Sequence, residues 1–405
     1  MIRTHLLILS MLALALTSVF SQAIPDTEQL AKWLKRFPGA DTNKDGTLSL
    51  EEAIAFRKVM TKKAGTQKKG GGAPRTFEVD PAWDGPDFPE HAVFRKSPEE
   101  IQAIYQSTLK KGQSAVVSFE KPTDGALRIV GTGHSFMAPG YNTLPKITTA
   151  SGFTQPLHTH TGGGMTGSTR YKWEQENGIF QFEGKPTPKL LASISNADWD
   201  AMMWGPYFND RPQYYACWID FCHQFHPEMK FYLSDAWISL HQLDENPVSE
   251  TFFTEEVLDR LNQERNEGYT DLINTLRKDY PDKVFIMPTA DAMTRAAKHF
   301  TRGELPGIEG LHKVIGGKER SLWRDQLGHL GPGFERLEGY VFYATLYGKS
   351  PELITQKIQF GGDPKFPGPA LDKVFRKIAW QAVIHHPLSG VKDEDRDGIA
   401  DKATD

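Results

Sequence analysis

Short apolar runs alternate with longer amphipathic stretches from residue 126 onward. The apolar runs are typical of buried strands, and apolar residues spaced three and four apart are typical of helices. The predicted strands cover 127–131, 153–158, 199–204, 229–233 and 283–287. The predicted helices cover 144–150, 171–176, 190–194, 213–225, 255–279, 291–301, 334–347, 351–357 and 370–385. This alternation predicts an α/β protein, a three-layer α/β/α sandwich around a mostly parallel sheet.

The first predicted strand ends in a glycine turn that is followed by Ser135. Gly131 and Gly133 allow the backbone to turn sharply at the carboxyl edge of the sheet, where open α/β folds place their sites. A helix predicted to follow offers free N–H groups to a developing negative charge. Ser135 is therefore a candidate nucleophile, and a serine that only caps this helix is the alternative interpretation.

A candidate base for Ser135 lies late in the chain, after the last predicted strand. Asp325 and His329 are four residues apart, just before the helix predicted near residue 334. A neutral imidazole can accept the serine proton, and a carboxylate can fix its tautomer and stabilise the imidazolium. A helix-capping Asp325 and a surface His329 are the alternative.

An acyl-transfer site also needs groups that stabilise an oxyanion. Gly164 follows the second predicted strand and can offer a backbone N–H group, although Gly163 or Gly167 could serve instead. Asn209 follows the third strand and can offer its side-chain amide. Glycine and asparagine are also ordinary turn residues, so their order after successive strands is what favours an oxyanion hole.

The order serine, glycine, asparagine and paired Asp and His resembles the SGNH (GDSL-type) hydrolase superfamily over about residues 127–349. The most telling part is 325–333 together with 342–348. The resemblance implies an SGNH-like sandwich and a serine esterase with Ser135 as nucleophile, Gly164, Asn209 and the serine amide as oxyanion hole, His329 as base and Asp325 as its orienter. Three details differ from the family pattern: Gly-His-Ser-Phe replaces Gly-Asp-Ser, two extra residues separate Gly205 from Asn209, and the Asp–His spacing is one residue longer.

A calcium loop of the EF-hand type is predicted at residues 41–52. Oxygen ligands fall at loop positions 1, 3, 5, 7, 9 and 12, with Gly46 at position 6. The predicted metal ligands are Asp41, Asn43, Asp45, Thr47 and Glu52. Calcium requires six to eight hard oxygens, and the glutamate at position 12 closes the shell. A solvated acidic turn is the alternative.

A second loop of this kind is predicted at the carboxyl-terminal end. Its predicted calcium ligands are Asp393, Asp395, Asp397, Ile399 through its carbonyl, and Asp401. Thr404 occupies the position of the closing glutamate, and Asp405 is a candidate substitute. A disordered acidic tail is the alternative. Because EF-hand units seldom stand alone, we also hypothesise that the two loops pair and join the ends of the chain.

The amino-terminal segment 1–23 is predicted to be a secretory signal peptide, because Arg3 and His5 precede an apolar run at 6–20 and small residues follow at 21–23. An uncleaved anchor is the alternative. The predicted organisation continues with an EF-hand at 26–63, a linker at 64–80, the hydrolase domain at 81–390 and the calcium-loop segment at 391–405. We expect a secreted or periplasmic protein without a membrane span after signal cleavage. The two cysteines, Cys217 and Cys222, lie five residues apart in a predicted helix, which disfavours a disulfide between them, and export without disulfides favours a bacterial envelope.

The overall charge argues against a nucleic-acid partner, because the net charge is −4 and no basic face dominates. The expected activity is ester hydrolysis through an acyl-serine intermediate on a small-molecule or carbohydrate ester. The expected export and an aromatic content of 11% favour an acylated carbohydrate. A non-catalytic calcium-binding protein on a degenerate SGNH fold is the main alternative. A metal hydrolase is another, because His158 and His160 alternate on a predicted strand and could reach one ion.

Overall fold

The structure, a computed structural model, describes most of the region that carries the predicted sheet. The described residues are 30–31, 34, 40–49, 51–53, 55, 116–161, 171, 190–205, 212–361, 363 and 365–401. The chain divides into two units, residues 1–89 and 90–405, and each is described by itself. The predicted signal segment, the linker and all of the predicted helix at 171–176 except Tyr171 lie outside the described residues.

Five strands of the second unit form a parallel sheet in the order β2-β1-β3-β4-β5. They are β1 Ile129–Gly133, β2 Leu157–Thr161, β3 Ala201–Trp204, β4 Lys230–Ser234 and β5 Val284–Met287. The chain runs from β1 to β2 on one side and returns to β3 on the other, so β1 and β3 flank the point where the strand order reverses. In open α/β sheets this switch point, at the carboxyl ends of the strands, is where ligands bind.

Helices cover the sheet, and the predicted α/β fold class is confirmed. The helices are α1 Met137–Ala150, α2 Leu190–Asn196, α3 Pro212–Phe225, α4 Glu255–Asp279, α5 Thr289–Thr301, α6 Lys313–Gly316, α7 Phe334–Tyr347 and α8 Pro369–His385. One face of the sheet, with Ile129 and Met203, packs into a core shared with α1, α5, α7 and α8. On β3 the neighbouring Met202 contacts Cys222 of α3 instead, so the result is an α/β/α sandwich. Within the described part of the chain, no helix combines the length and apolar character of a membrane span.

Two local expectations were wrong, and two further strands were missed. The predicted helix at 351–357 is only a 3-10 turn, Pro351–Leu353. The second strand begins at Leu157 rather than 153, because Pro156 has no N–H to donate to a ladder. The missed strands are β6 Gly310–His312 and β7 Ser321–Trp323, which pair with each other in parallel. They are too short to produce a period in the sequence.

Glycines bring α1 and α7 into close contact. A Cβ atom on Gly140 would lie 2.3 Å from the ring of Phe342, and one on Gly339 would lie 2.2 Å from the hydroxyl of Thr143. The two helix backbones can approach only because both positions lack a side chain. This contact matters for the site, since Ser135 lies just before α1 and His329 lies just before α7.

Candidate active site

The predicted nucleophile, base and carboxylate lie in one hydrogen-bonded chain. The hydroxyl of Ser135 is 2.7 Å from Nε2 of His329, and Nδ1 of the same imidazole is 2.8 Å from Oδ2 of Asp325. Ser135 is exposed, whereas the His329 side chain is 17% exposed. The three predicted residues therefore meet although 194 positions separate the serine from the histidine.

The backbone around β1 places Ser135 at the switch point of the sheet. Gly133, the last residue of β1, has a φ of 140°, and a Cβ atom there would lie 2.9 Å from the amide nitrogen of Gly205. The Gly205 amide itself donates to the carbonyl of Thr132 at 3.2 Å. The chain leaving β3 is thus held directly beside the turn that carries Ser135, a packing that only glycine permits.

His329 is carried by a tight loop between β7 and α7. Trp323 and Leu330 form an antiparallel bridge across this loop, and the amide of Gly331 donates to the carbonyl of Leu322 at 2.7 Å. A Cβ atom on Gly331 would lie 1.7 Å from the carbonyl oxygen of Ser321, so no other residue fits there without moving the backbone. These contacts fix both ends of the loop, close to the imidazole of His329.

The carboxylate of Asp325 is itself oriented by the same loop. Its Oδ1 accepts hydrogen bonds from the backbone N–H groups of Leu327 and His329, both at 3.1 Å, which leaves Oδ2 for the imidazole. Burial acts to raise the pKa of Asp325, but the hydrogen bonds and charge of His329 outweigh it and hold this pKa below its ordinary value. The carboxylate is therefore ionised at neutral pH and can stabilise an imidazolium.

This arrangement has the geometry that activates a serine hydroxyl. The imidazole can accept the Ser135 proton at Nε2 while its Nδ1–H donates to Asp325. The predicted oxyanion-hole residues, Gly164 and Asn209, lie outside the described residues, as do the alternatives Gly163 and Gly167. Their role therefore stays a prediction.

The two histidines of the metal-hydrolase alternative lie on β2, at the edge of the sheet. Burial lowers the pKa of His158 to about 4, which keeps this imidazole neutral at neutral pH. Among the described residues, the one group of three His, Cys, Asp or Glu side chains close enough to share an ion lies elsewhere, at Asp393, Asp395 and Asp397. No third described ligand of these types joins His158 and His160.

The predicted calcium loop of the first unit is held by its own hydrogen bonds. Asp41 accepts from the amide of Gly46 at 2.9 Å through Oδ2, while its Oδ1 is buried without a hydrogen-bond partner. Glu52 closes the loop by accepting from the amides of Thr42 at 3.0 Å and Asn43 at 3.1 Å. Hydrogen bonds, first of all from Ser49, lower the pKa of Glu52 to about 2.

The carboxyl-terminal loop repeats this hydrogen-bond pattern, but its closing carboxylate comes from position 9 rather than position 12. Asp393 accepts from the amide of Gly398 at 3.3 Å through Oδ2, and its Oδ1 is again buried without a hydrogen-bond partner. Asp401 accepts from the amide of Glu394 at 2.7 Å. Glu394 is the second residue of its loop, as Thr42 is of the other, so Asp401 makes the contact that Glu52 makes there. Thr404 and Asp405 lie outside the described residues.

The carboxyl-terminal loop is attached to the helices of the sandwich. Trp380 of α8 donates through Nε1 to Asp393 at 2.9 Å. Beyond the end of α7, Gly348 and Ser350 exchange backbone hydrogen bonds of 2.7 Å with Ala400 and Gly398. The loop thus continues the packing of α7, the helix that follows His329. Whether it pairs with the loop of the first unit stays a prediction.

Comparisons with known proteins leave the family unassigned. No protein-family model matches the chain, and no curated protein matches it. A solved structure from Streptococcus pneumonia, described as "a putative platelet activating factor", is similar with 14% sequence identity and a TM-score of 0.33, and the match covers 62% of this chain and 92% of that chain. A likeness at this TM-score supports no inference about this protein, so the geometry of the site carries the functional argument.

Proposed function

We propose that this protein is a serine ester hydrolase of the SGNH type that works through an acyl-Ser135 intermediate. The observation that carries the proposal is the continuous hydrogen-bonded chain from Ser135 through His329 to Asp325. Its place after β1, at the switch point of a parallel sheet, agrees with the resemblance in the sequence.

The proposed reaction begins when the Ser135 oxygen attacks the ester carbonyl and its proton passes to Nε2 of His329. The resulting imidazolium, stabilised by Asp325, gives this proton to the departing alcohol, and the acyl group remains on Ser135. A water molecule then attacks the acyl group while His329 accepts one of its protons, and His329 returns this proton to the Ser135 oxygen as the acyl–oxygen bond breaks and the carboxylic acid leaves. Gly164, Asn209 and the serine amide are the expected oxyanion donors. The expected export and the aromatic content favour an acylated carbohydrate as the natural ester.

The proposal is tested with a fluorophosphonate probe and a short-chain aryl ester. The wild-type protein should be labelled and should hydrolyse the ester, and Ser135→Ala should abolish both. Ser151→Ala is the matched control, because Ser151 lies just after α1 and its hydroxyl hydrogen-bonds the carbonyl of Ile147 and the side chain of Tyr343, neither of which belongs to the triad. Full activity in Ser135→Ala would refute the assignment. An unlabelled, inactive wild type would favour the non-catalytic binding protein.

We further propose that the two acidic loops bind structural calcium. The residues suit this ion, since each loop presents carboxylate oxygens and each has one buried aspartate oxygen without a hydrogen-bond partner, at Asp41 and Asp393. In the carboxyl-terminal loop the carboxylates of Asp393, Asp395 and Asp397 lie within 4.8 Å of one another. The Asp401 carboxylate closes this loop by accepting from the Glu394 amide, although Thr404 replaces the glutamate expected at position 12.

Calcium should stabilise the folded chain by about 2–3 kcal/mol at a hundredfold excess over the dissociation constant. The measurement is the melting temperature of the full chain in calcium and in chelator. Asp393→Ala should remove much of the calcium-dependent shift, whereas Glu394→Gln, at an exposed position that is not a predicted ligand, should keep it. An identical shift in Asp393→Ala and wild type would contradict binding at this loop. A chain ending at Val391 that responds to calcium as the full chain does would also contradict pairing of the loops.

We also propose that the protein is exported to the bacterial envelope or secreted, from the signal-like pattern of residues 1–23. The amino-terminal sequence of the mature protein, recovered from a bacterial host, tests this. Cleavage after Ala23 supports export, and retention of Met1 in cytoplasmic protein contradicts it.

A further inference from the structure

An aromatic pair beside the triad contacts both the imidazole of His329 and the loop that carries it. The ring of Phe136 stacks on Trp237 at a centroid distance of 4.8 Å and an interplanar angle of 13°. The same Phe136 ring meets His329 edge to face, at 5.0 Å and 81°. Trp237 is 1% exposed, and its Nε1–H donates to the carbonyl of Gly328, the residue before His329.

The loop has little room to move against this pair. Gly328 has a φ of 91°, and a Cβ atom there would lie 3.0 Å from the carbonyl oxygen of Ile238 and 3.5 Å from Nε1 of Trp237. The segment that follows β4 is therefore in direct contact with the backbone at residue 328. Since Trp237 is also in contact with Phe136, one rigid aromatic unit links the residue after the nucleophile to the residue before the base.

The triad hydrogen bonds alone leave one motion of the imidazole free. They hold His329 at Nδ1 and at Nε2, but they do not fix the tilt of the ring plane, which can still change by a small rotation of the side chain about χ1 and χ2. An edge-to-face ring contact restricts that rotation, because tilting the imidazole would lose the contact or drive it into the Phe136 ring. Correct tilt matters for proton transfer, which depends on the alignment of the donor with the acceptor lone pair.

We propose that Phe136 and Trp237 are positioning residues for the base: Phe136 fixes the plane of the His329 imidazole, and Trp237 fixes Phe136 and the loop. This inference rests on the proposed serine hydrolase function. Neither residue donates or accepts a proton in the reaction. Their effect is on the alignment of Nε2 with the Ser135 hydroxyl, and it should appear in kcat rather than in substrate binding.

The test compares steady-state kinetics on a short-chain aryl ester and the fluorophosphonate labelling rate in four variants. Phe136→Leu removes the ring contact and should lower kcat and the labelling rate about 10- to 100-fold, with KM changed less than twofold. Phe136→Tyr keeps the ring and should restore kcat to within about threefold of wild type. Trp237→Phe keeps a stacking ring but loses the donor to Gly328, and should also lower kcat. Phe153→Leu is the control, because Phe153 makes a similar stack with Tyr347 at 4.9 Å, and neither ring belongs to the triad or to the Phe136–Trp237 pair.

Each outcome separates this inference from the proposed function. A wild-type protein that neither labels nor hydrolyses the ester refutes the function itself. An active wild type whose kcat is unchanged in Phe136→Leu and in Trp237→Phe refutes the positioning role alone. A raised KM with unchanged kcat in Phe136→Leu also refutes it, because Phe136 would then be a substrate contact. Equal losses in Phe136→Leu and Phe153→Leu, with matching losses of folded protein, would assign the effect to general stability and refute it too.

Discussion

Replacing Asp325 by asparagine should impair the base more than deleting the side chain does. Oδ1 of Asp325 already accepts two backbone N–H groups, from Leu327 and His329. In Asp325→Asn the amide oxygen is the group that can keep these contacts, so the amide NH₂ must point at Nδ1 of His329. That donor favours the tautomer with its proton on Nε2, which cannot accept the proton of Ser135.

The magnitude follows from the contacts that are lost. Removing the charge-assisted hydrogen bond to the imidazolium costs about 1.5–3 kcal/mol, and holding the imidazole in the wrong tautomer adds about 0.5–1.5 kcal/mol, the usual range for a neutral hydrogen bond. The Asp325 side chain is 41% exposed, which places both contributions toward their lower limits. At about 1.36 kcal/mol per tenfold change, kcat should fall about 30- to 300-fold. Asp325→Ala loses only the first contribution and should fall about 10- to 100-fold.

The assay is kcat for a short-chain aryl ester, measured for both variants with folding checked by thermal melting. Asp325→Asn should keep the backbone contacts of the loop and melt closer to wild type than Asp325→Ala. If the alanine variant were the slower of the two at equal folded fraction, the tautomer argument would be refuted. If neither variant lost activity, Asp325 would have no part in the reaction.

Three further predictions concern stability. Gly140→Ala should destabilise the protein by about 1–3 kcal/mol, because its Cβ would meet the Phe342 ring at 2.3 Å. Gly268→Ala in α4, where no atom lies within 4 Å of the added Cβ, should stabilise it by about 0.5–1 kcal/mol. Equal melting temperatures of the two variants would contradict this prediction. Burial raises the pKa of Glu338 well above its ordinary value of 4.5, so the free energy of unfolding should decrease as the pH rises above 4.5. In urea unfolding at several pH values, Glu338→Gln should show a smaller decrease than wild type. Burial lowers the pKa of His158 from 6.5 to about 4, so the free energy of unfolding should decrease as the pH drops from 6.5 to 4. His158→Gln should show a smaller decrease in the same urea unfolding experiment, and a pH profile identical to wild type would contradict the burial of His158.

The sheet and the triad could be predicted from the sequence because each leaves a local signal. Strands β3, β4 and β5 contain continuous apolar runs of the kind that a sheet covered on both faces requires, whereas β2, at one edge, alternates histidine and threonine. Ser135 follows glycines at a strand end, and Asp325 and His329 lie in one short turn, so their residue types and spacing point to the same chemistry. Ser135 and His329 are 194 residues apart, but each lies just before a helix, and these two helices, α1 and α7, pack closely against each other.

The supporting contacts could not be predicted, because their signals are not local. Trp237 follows β4 and, as one apolar residue in a short run, is indistinguishable in sequence from any buried tryptophan. Its contacts with Phe136 and Gly328 depend on how three separate loops meet. Strands β6 and β7, three residues each, likewise depend on tertiary packing. The close approach of the Ser321 carbonyl to Gly331 could not be predicted for the same reason, because a glycine in a loop gives no indication of which backbone atoms lie beside it.

Helix α7 connects the candidate site to the acidic loop near the carboxyl-terminal end of the chain. The loop that presents His329 leads into α7, and beyond its end Gly348 and Ser350 are hydrogen-bonded to the acidic loop. A Cβ atom on Gly348 would lie 2.7 Å from Cβ of Ala400, so this junction has no space for slippage. An ion bound at Asp393 would therefore restrain α7 at one end while the close contact with α1 restrains it along its length. The position of the His329 imidazole would then depend on contacts at both ends of α7, which would help a loop with few buried side chains of its own to hold this imidazole in place.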